Sequence, residues 1–171
     1  MSDSPPWSHG VPWSAVGTDE QELRLVADAE TRARVARFLR VEGIETLEAS
    51  VRIRGWFDGM ELTGRVNGVA RRACGVSLEA FDEVIDAPLH GRMVPPGSPH
   101  AADDGEVVVD LEADDPPDVV EGDRVDVAAF VTEIFALALD PFPRKAGAVF
   151  VQPAESAPLS PFAVLRASSP K

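Results

Sequence analysis

The strongest constraint on the fold is a strict alternation of apolar and polar residues from Leu47 to Ala70. Apolar or small side chains occupy every second position over 47–57, and the alternation resumes over 60–70. A period of two is typical of a strand that buries one face. Asp58-Gly59 separates the two runs, and both residues tolerate the positive φ angles of a two-residue turn. The pattern predicts a long antiparallel hairpin with one apolar and one polar face.

The polar face of this predicted hairpin carries several arginines. With that turn, the register places Arg52 opposite Arg65 and Arg54 opposite Thr63, and Trp56 falls on the same face. Like charges directly across a hairpin repel each other. Three accounts remain open. The side chains extend into water, acidic residues over 103–126 of the same chain neutralise them, or a bound phosphate backbone lies over them.

A buried helix is predicted near the C-terminal end. Asp126 is a good N-cap, because its carboxylate can accept hydrogen bonds from the free N–H groups of the first turn. Thr132 and Glu133 are the only polar residues before Asp140, and Pro141 ends the pattern. The apolar positions that recur at helical spacing are Val127, Phe130, Val131, Ile134, Leu137 and Ala138. We therefore expect a core helix from Asp126 to Leu139.

Two further elements have clear boundaries in the sequence. Asp28 can cap a helix over 29–42, and Gly43 stands in the usual stop position. A third long strand fits 81–94, where Pro88 indicates an edge position or a bulge because proline cannot donate to a sheet ladder. Both elements add to the hairpin and to the late helix.

These elements predict an α+β fold: an antiparallel β-sheet of about four to six strands with two main helices packed on one face. Strands that precede a final helix argue against a parallel sheet built from βαβ units. Possible additional strands lie around Leu23 and Leu25 and over 106–111. We expect one domain over 1–171, with a loosely ordered start over 1–20, an acidic insertion over 97–124 and a Pro/Ala/Ser-rich tail over 146–171.

Charge is distributed unevenly along the chain. The net charge is −13, and the window 103–126 holds eleven acidic residues against Arg124 alone, a balance of −10. Ten arginines lie over 24–72. An acidic excess argues against coating of nucleic acid, which needs cations that neutralise phosphates. It favours a basic partner or partial self-neutralisation.

Length and composition set further limits. A chain of 171 residues, 44% of them apolar, is long enough for one domain with a hydrophobic core. No apolar run approaches the ~20 residues that cross a bilayer, and the N-terminus lacks the basic start and apolar centre of a signal peptide. The single cysteine, Cys74, fits a reducing compartment. We expect a cytoplasmic protein without membrane contact.

Signs of catalysis are missing from the sequence. No glycine-rich phosphate loop or nucleophile elbow surrounds Cys74. The three histidines are scattered, and one thiol cannot complete a zinc site with them. The acidic pairs at 103–104 and 114–115 lack the spacing of a calcium loop. We therefore expect a non-enzyme with no cofactor, no bound metal and no small-molecule substrate.

Four segments, taken in order, match the pattern of one protein family. The late helix and its proline-bearing exit are similar to the pattern D-L-x-x-x-V-x-E-x-L-x-L-A-L. The other three segments are an early Glu/Arg helix from Ala29, a central stretch from Gly64 to Glu79, and the ending Ser160-Pro-Phe-Ala-Val-Leu165. Together they resemble the YceD family of large ribosomal RNA subunit accumulation proteins. Many relatives carry C-x-x-C in the central stretch, whereas this chain has Cys74 and then Ser77. The resemblance covers nearly the whole chain.

This resemblance implies a role in the synthesis, processing or stability of large-subunit (23S) ribosomal RNA, and so in ribosome biogenesis. The acidic window suggests that the chain binds a basic ribosomal or rRNA-processing protein. The candidate contact residues are Asp103, Asp104, Asp114, Asp115, Arg144 and Lys145. The alternative is direct binding of rRNA by the arginine face, with Arg52, Arg54 and Arg65 on phosphates and Trp56 stacking on a base.

Overall fold

The computed structural model describes residues 5–17, 19–101 and 116–150. Seven strands and two helices follow one another in the described chain. The strands are β1 Gly10–Pro12, β2 Gln21–Val26, β3 Gly43–Trp56, β4 Gly59–Ala73, β5 Ala80–Val94, β6 Asp118–Val119 and β7 Arg124–Asp126. The helices are α1 Ala29–Leu39 and α2 Val127–Ala138. A short 3₁₀ turn spans Trp13–Ala15.

Five of these strands form one sheet in the order β2-β3-β4-β5-β6, and β1 pairs with β7 in a separate two-stranded sheet. All neighbours are antiparallel except β5 and β6, which pair in parallel. Helix α1 contacts β3, and α2 contacts β4 and β5. Their buried side chains join those of the sheet in one hydrophobic cluster. The predicted α+β class, with a mainly antiparallel sheet and two helices, is confirmed.

The predicted hairpin is present, but its register differs from the prediction by two residues. Arg52 pairs with Thr63, Arg54 pairs with Glu61 and Arg65 pairs with Ser50. The predicted juxtaposition of Arg52 with Arg65 is therefore wrong. An even shift leaves every side chain on its predicted face and changes only its neighbours, because the side-chain period of a strand is two.

The position of the turn explains the shift. Phe57 and Asp58 form the turn, whereas Gly59 begins β4 opposite Trp56. Gly59 is needed in the strand because a Cβ there would collide with the carbonyl oxygen of Met93. Phe57 instead takes the positive φ of 51° and is exposed, not inward-facing as the alternation predicted.

The third long strand is confirmed as β5, which pairs with β4 along its length. On its other side, among the described residues, β5 pairs with β6 only at Met93 and Val94. Within that part of the chain, Pro88 lies where β5 has no neighbouring strand on one side, in keeping with its missing N–H. A strand around Leu23 and Leu25 is also confirmed, as β2.

Helix α1 begins as predicted and ends earlier. The Asp28 carboxylate accepts a hydrogen bond from Thr31 N at 2.8 Å, and this bond lowers the pKa of Asp28. The helix ends at Leu39, because Arg40 adopts the left-handed conformation with φ 56°. Gly43 begins β3 and does not stop the helix.

Helix α2 is the buried helix of the sequence prediction. The Asp126 carboxylate caps it by accepting a hydrogen bond from Ala129 N at 3.1 Å. The pattern misplaced part of its buried face: Phe135 is fully buried, whereas Leu137 is exposed. Phe135 packs on Gly68, where a Cβ would lie 2.7 Å from its ring. The glycines of the sheet therefore give the aromatic rings of α2 the space that they occupy.

The N-terminal segment, predicted to be loosely ordered, makes defined contacts over 5–17. Trp7 belongs to the hydrophobic core, and Trp13 Nε1 donates to the carbonyl oxygen of Gly122 at 3.1 Å. His9 N donates to the capping carboxylate of Asp126 at 2.8 Å. The pairing of β1 with β7 and the hydrogen bond from His9 tie this segment to β7 and to the N-cap of α2.

Parts of three predictions lie outside the described residues: the strand over 106–111, much of the acidic insertion, and the tail beyond residue 150. Among the described residues, no helix is both long and apolar enough to cross a membrane.

Candidate interaction surface

The sheet face opposite the helices, here called the open face, is polar. The core-facing positions of β3 and β4 carry Ala49, Val51, Leu62 and Val66, all buried. The positions between them carry the side chains of the open face. These include Arg24 on β2, Glu48, Arg52 and Arg54 on β3, Glu61 and Arg65 on β4, and Asp86, His90 and Arg92 on β5. The structure thus brings Arg52, Arg54 and Arg65 together on one surface.

The arginines of the open face are paired with carboxylates. Four of them have an acidic partner of their own: Arg24 with Glu48 (3.1 Å), Arg52 with Glu20 (3.9 Å), Arg65 with Asp86 (2.7 Å) and Arg71 with Asp82 (3.1 Å). All eight side chains are substantially exposed. Exposed pairs of this kind contribute about 0–1 kcal/mol each to stability. They therefore neutralise the charge of the face but hold its side chains only weakly.

Glu61 is the exception, because its carboxylate is buried. Arg54 Nε donates to Glu61 Oε2 at 2.6 Å, and Arg92 Nε donates to Oε1 at 3.2 Å. His90 Nε2 lies 3.4 Å from the same Oε1. Burial works to raise the pKa of Glu61, but the hydrogen bonds from Arg54, Arg92 and His90 outweigh it, and the pKa is below its ordinary value. Two guanidinium groups therefore share one carboxylate.

A concavity of about 620 Å³ lies in the open face. Its charged lining consists of Arg24, Arg52, Arg65 and Glu22, a net charge of +2. Ser50 and Asn67 add a hydroxyl and an amide group. This lining matches the donors that bind an anionic oxygen. Two of the predicted RNA contacts, Arg52 and Arg65, therefore border one site.

The tip of the β3–β4 hairpin carries an aromatic cluster, here called the aromatic tip: Trp56, Phe57 and His100. The Phe57 and His100 rings are stacked, with centroids 4.0 Å apart and an interplanar angle of 19°. Trp56 meets Phe57 edge-on at 4.7 Å, and the guanidinium carbon of Arg92 lies 5.2 Å from the Trp56 centroid. Trp56 is thus partly buried, and this cluster and Arg92 surround it.

Residues 102–115 are here called the acidic segment. The described residues that flank this segment lie beside the aromatic tip. At one end, His100 stacks on Phe57 and precedes Ala101. At the other, β6 follows Pro117 and pairs with Met93 and Val94, the residues that pack against Gly59. The predicted contacts Asp103, Asp104, Asp114 and Asp115 lie in the intervening stretch 102–115, outside the described residues.

Comparison with models of protein families matches residues 62–161 to the family described as large ribosomal RNA subunit accumulation protein YceD. The match covers more than half of the chain and includes β5 and α2. The chain belongs to the YceD family. Neither the curated proteins nor the solved structures contain a match to it. The name of the YceD family indicates a role in the accumulation of large-subunit ribosomal RNA.

The YceD match includes Cys74, which sits in the turn between β4 and β5. Its buried Sγ accepts hydrogen bonds from the backbone N–H groups of Val76 and Ser77, both at 3.4 Å. The Ser77 hydroxyl, the Ser77 N–H and the Lys145 N–H lower the pKa of the thiol to about 6. Cys74 therefore organises a tight turn, and Ser77 helps to hold it where many YceD relatives have a second cysteine.

The exit of α2 is held against this turn in the YceD chain. Gly75 N donates to the carbonyl oxygen of Pro143 at 2.8 Å, and Lys145 Nζ lies 3.0 Å from Glu79 Oε2. The cation that reaches the backbone at the helix end is Arg72, which donates to the carbonyl oxygen of Asp140 at 2.7 Å. Arg144 is exposed. Lys145 is thus tied to the turn, and Arg72 contacts the backbone just after the end of α2.

Sequence reasoning missed Glu61, Arg92, Phe57 and His100. Glu61 could have been found from the sequence. If the two-residue turn is placed one position earlier, at Phe57-Asp58, Glu61 falls opposite Arg54 on the polar face. Phe57 and His100 gave no such signal, since a phenylalanine at positive φ follows no common turn pattern. Within the described ranges, no group of three or more His, Cys, Asp or Glu residues could hold a metal ion.

Proposed function

We propose that this YceD protein promotes the accumulation of large-subunit ribosomal RNA in the cytoplasm by binding a basic ribosomal or rRNA-processing protein through its acidic segment. It acts as a non-catalytic assembly factor. The residues that we assign to the contact are Asp103, Asp104, Asp114 and Asp115, with Arg144 as a further contact at the α2 exit.

The observation that carries this proposal is the charge balance of the open face. Four of its arginines have their own carboxylate on or beside the sheet, and Arg54 and Arg92 share Glu61. The face therefore holds at most about one positive charge that its own acids do not balance. The window 103–126 carries −10, and the open face offers little unbalanced positive charge to neutralise it.

A negative field of this size suits a basic protein. Surfaces of opposite charge attract each other over about a Debye length, roughly 10 Å at 0.1 M salt, and so raise the association rate. Proteins that assemble on ribosomal RNA offer such basic surfaces, because they must neutralise phosphates. Binding through the acidic segment should therefore weaken steeply as salt is added.

The test is a pull-down of large-subunit ribosomal proteins, freed of RNA, at about 50 mM and about 300 mM NaCl. One variant carries Asn at Asp103, Asp104, Asp114 and Asp115. The control variant carries Gln at four exposed acids elsewhere: Glu22, Glu42, Glu45 and Glu133. Both variants change the net charge equally.

We expect the native chain and the control variant to retain a basic protein at low salt and to release it at high salt. The acidic-segment variant should retain much less at low salt. Equal recovery by all three chains would remove the acidic segment from the mechanism.

A second candidate is direct binding of RNA on the open face, which the concavity lined by Arg24, Arg52 and Arg65 favours. A phosphate there would have to compete with Glu48, Glu20 and Asp86 for these arginines. Each competing pair is exposed and weak, so the exchange is feasible. Against it stands the net charge of −13, which repels a polyanion.

Gel shifts with fragments of large-subunit rRNA test this candidate. Binding by the open face predicts retardation that is lost when Arg24, Arg52 and Arg65 are changed to Gln. A protein concentration of about 10 μM is below the Kd of much non-specific binding at physiological salt. If the native chain causes no retardation at this concentration, direct binding of RNA on the open face is excluded.

A further inference from the structure

Phe57 is an unusual residue for a hairpin tip. Its side chain is 72% exposed, and its backbone adopts φ 51°, a region in which residues other than glycine, asparagine and aspartate are uncommon. Asn or Gly would relieve the backbone and would not place an apolar ring in water. Folding of the hairpin therefore does not account for a phenylalanine here.

Neighbouring groups hold the Phe57 ring in a fixed position. His100 covers one face of the ring at 4.0 Å, and Trp56 meets it edge-on at 4.7 Å. Ser98 Oγ donates to Asp58 Oδ1 at 2.9 Å, and His100 N donates to Ser98 Oγ at 3.1 Å. These bonds join the turn to the segment after β5, so the aromatic tip is a preorganised surface.

The chemistry of this surface suits a cation. The face of an aromatic ring attracts a guanidinium or ammonium group that lies within about 6 Å of its centre. The tip already contains one example, the Arg92 guanidinium 5.2 Å from the centre of Trp56. Arginine is favoured over lysine at such rings, because its planar group also stacks.

The charge around the tip selects the same kind of partner. Asp58 is exposed at the turn itself, and the described residues on both sides of 102–115 lie next to the tip. The sequence between them contains seven acidic residues and no basic one. This acidic composition favours a basic partner.

We propose that the aromatic tip is the anchoring surface for arginine side chains of the basic partner, with Phe57 as its central contact. This inference rests on the proposed function and adds a specific contact to it. The acidic segment provides attraction that does not distinguish arginine from lysine, whereas the aromatic tip provides the preference for arginine.

Fluorescence anisotropy with labelled oligo-arginine and oligo-lysine peptides of equal length tests the proposal. The variant is Phe57→Asn, because asparagine tolerates positive φ and should preserve or raise the melting temperature. The matched control is Leu78→Asn, since Leu78 is 80% exposed with φ 60° and lies beyond the opposite end of β4. The four-fold acidic-segment variant and a single-stranded RNA oligonucleotide complete the set.

We expect the native chain and Leu78→Asn to bind oligo-arginine more tightly than oligo-lysine. Phe57→Asn should bind oligo-arginine about two- to fivefold more weakly, the usual contribution of an exposed cation–π contact, and should leave oligo-lysine nearly unchanged. The acidic-segment variant should bind both peptides more weakly.

The outcomes separate the two proposals. If Phe57→Asn binds oligo-arginine as the native chain does while the acidic-segment variant does not, the aromatic tip is excluded and the proposed function stands. If only Phe57→Asn weakens binding, the tip stands and the acidic segment fails. Binding of the RNA oligonucleotide that depends on Phe57, without any effect on the peptides, would assign the tip to nucleobases and overturn the inference.

Discussion

The two faces of the sheet differ in their charged side chains and in their exposure to water. The core face is aliphatic, with glycines where the rings of α2 need space, and both helices cover it. The open face is covered with arginines and acids that pair with one another. Stability therefore comes mainly from one face. The other face carries little net charge, and the aromatic tip lies at the end of its central hairpin.

The largest expected effect lies on the core face. Phe135→Ala should lower the free energy of unfolding by about 3–5 kcal/mol, because it opens a cavity over Gly68. Leu137→Ala on the same helix should change it by less than about 0.5 kcal/mol, since Leu137 is exposed. Urea denaturation measures both values. A similar loss for the two variants would contradict the packing of α2 described here.

The sequence was sufficient to assign the faces of the sheet and insufficient to assign neighbours. Arg52, Arg54, Arg65 and Trp56 lie on the predicted face because alternation fixes a face whatever the register. The register depended on Gly59, which the sequence could not place. The need for glycine there comes from the Met93 carbonyl, a contact between residues far apart in the chain.

The buried face of α2 shows the same limit. Helical periodicity identified Val127 and Val131 correctly, since both are fully buried. It favoured Leu137 over Phe135, because the sequence of a helix that is apolar on most sides does not show which side is buried. The space over Gly68 decides which side faces the sheet, and this space exists only in the folded protein.

On the open face, the largest effect should come from Glu61. Glu61→Gln should lower the free energy of unfolding by about 1–3 kcal/mol, because charged hydrogen bonds to Arg54 and Arg92 are lost. The control Glu48→Gln removes an exposed pair on the same face and should cost less than about 1 kcal/mol. If Glu61→Gln has no larger effect than Glu48→Gln, the open face has no buried ionic centre.

The contribution of Glu61 should depend on pH. Its pKa in the folded chain is below the ordinary value of 4.5, since hydrogen bonds from the arginines outweigh burial. A lowered pKa stabilises the folded chain above about pH 4.5, and this stabilisation is lost as the pH falls through the folded-state pKa. The difference in unfolding free energy between the native chain and Glu61→Gln should therefore shrink in acid. A constant difference between pH 7 and pH 3 would contradict this account.

The smallest effect on stability is expected at the α2 exit. Changing Arg144 and Lys145 together to Ser removes only the exposed pair of Lys145 with Glu79, which contributes less than about 1 kcal/mol. The melting temperature should change little. Reduced rRNA accumulation at an unchanged melting temperature would identify a contact site, whereas a large loss of melting temperature with normal accumulation would make the pair structural.

The most direct test of the central claim measures large-subunit rRNA in cells that lack the native protein. One strain carries the chain with Asn at Asp103, Asp104, Asp114 and Asp115, and the other carries the chain with Gln at Arg24, Arg52 and Arg65. The ratio of large- to small-subunit rRNA is the measurement. We predict that the arginine variant restores this ratio and that the acidic-segment variant does not, at equal protein levels. Restoration by the acidic-segment variant together with failure of the arginine variant would contradict the account and favour direct binding of RNA on the open face.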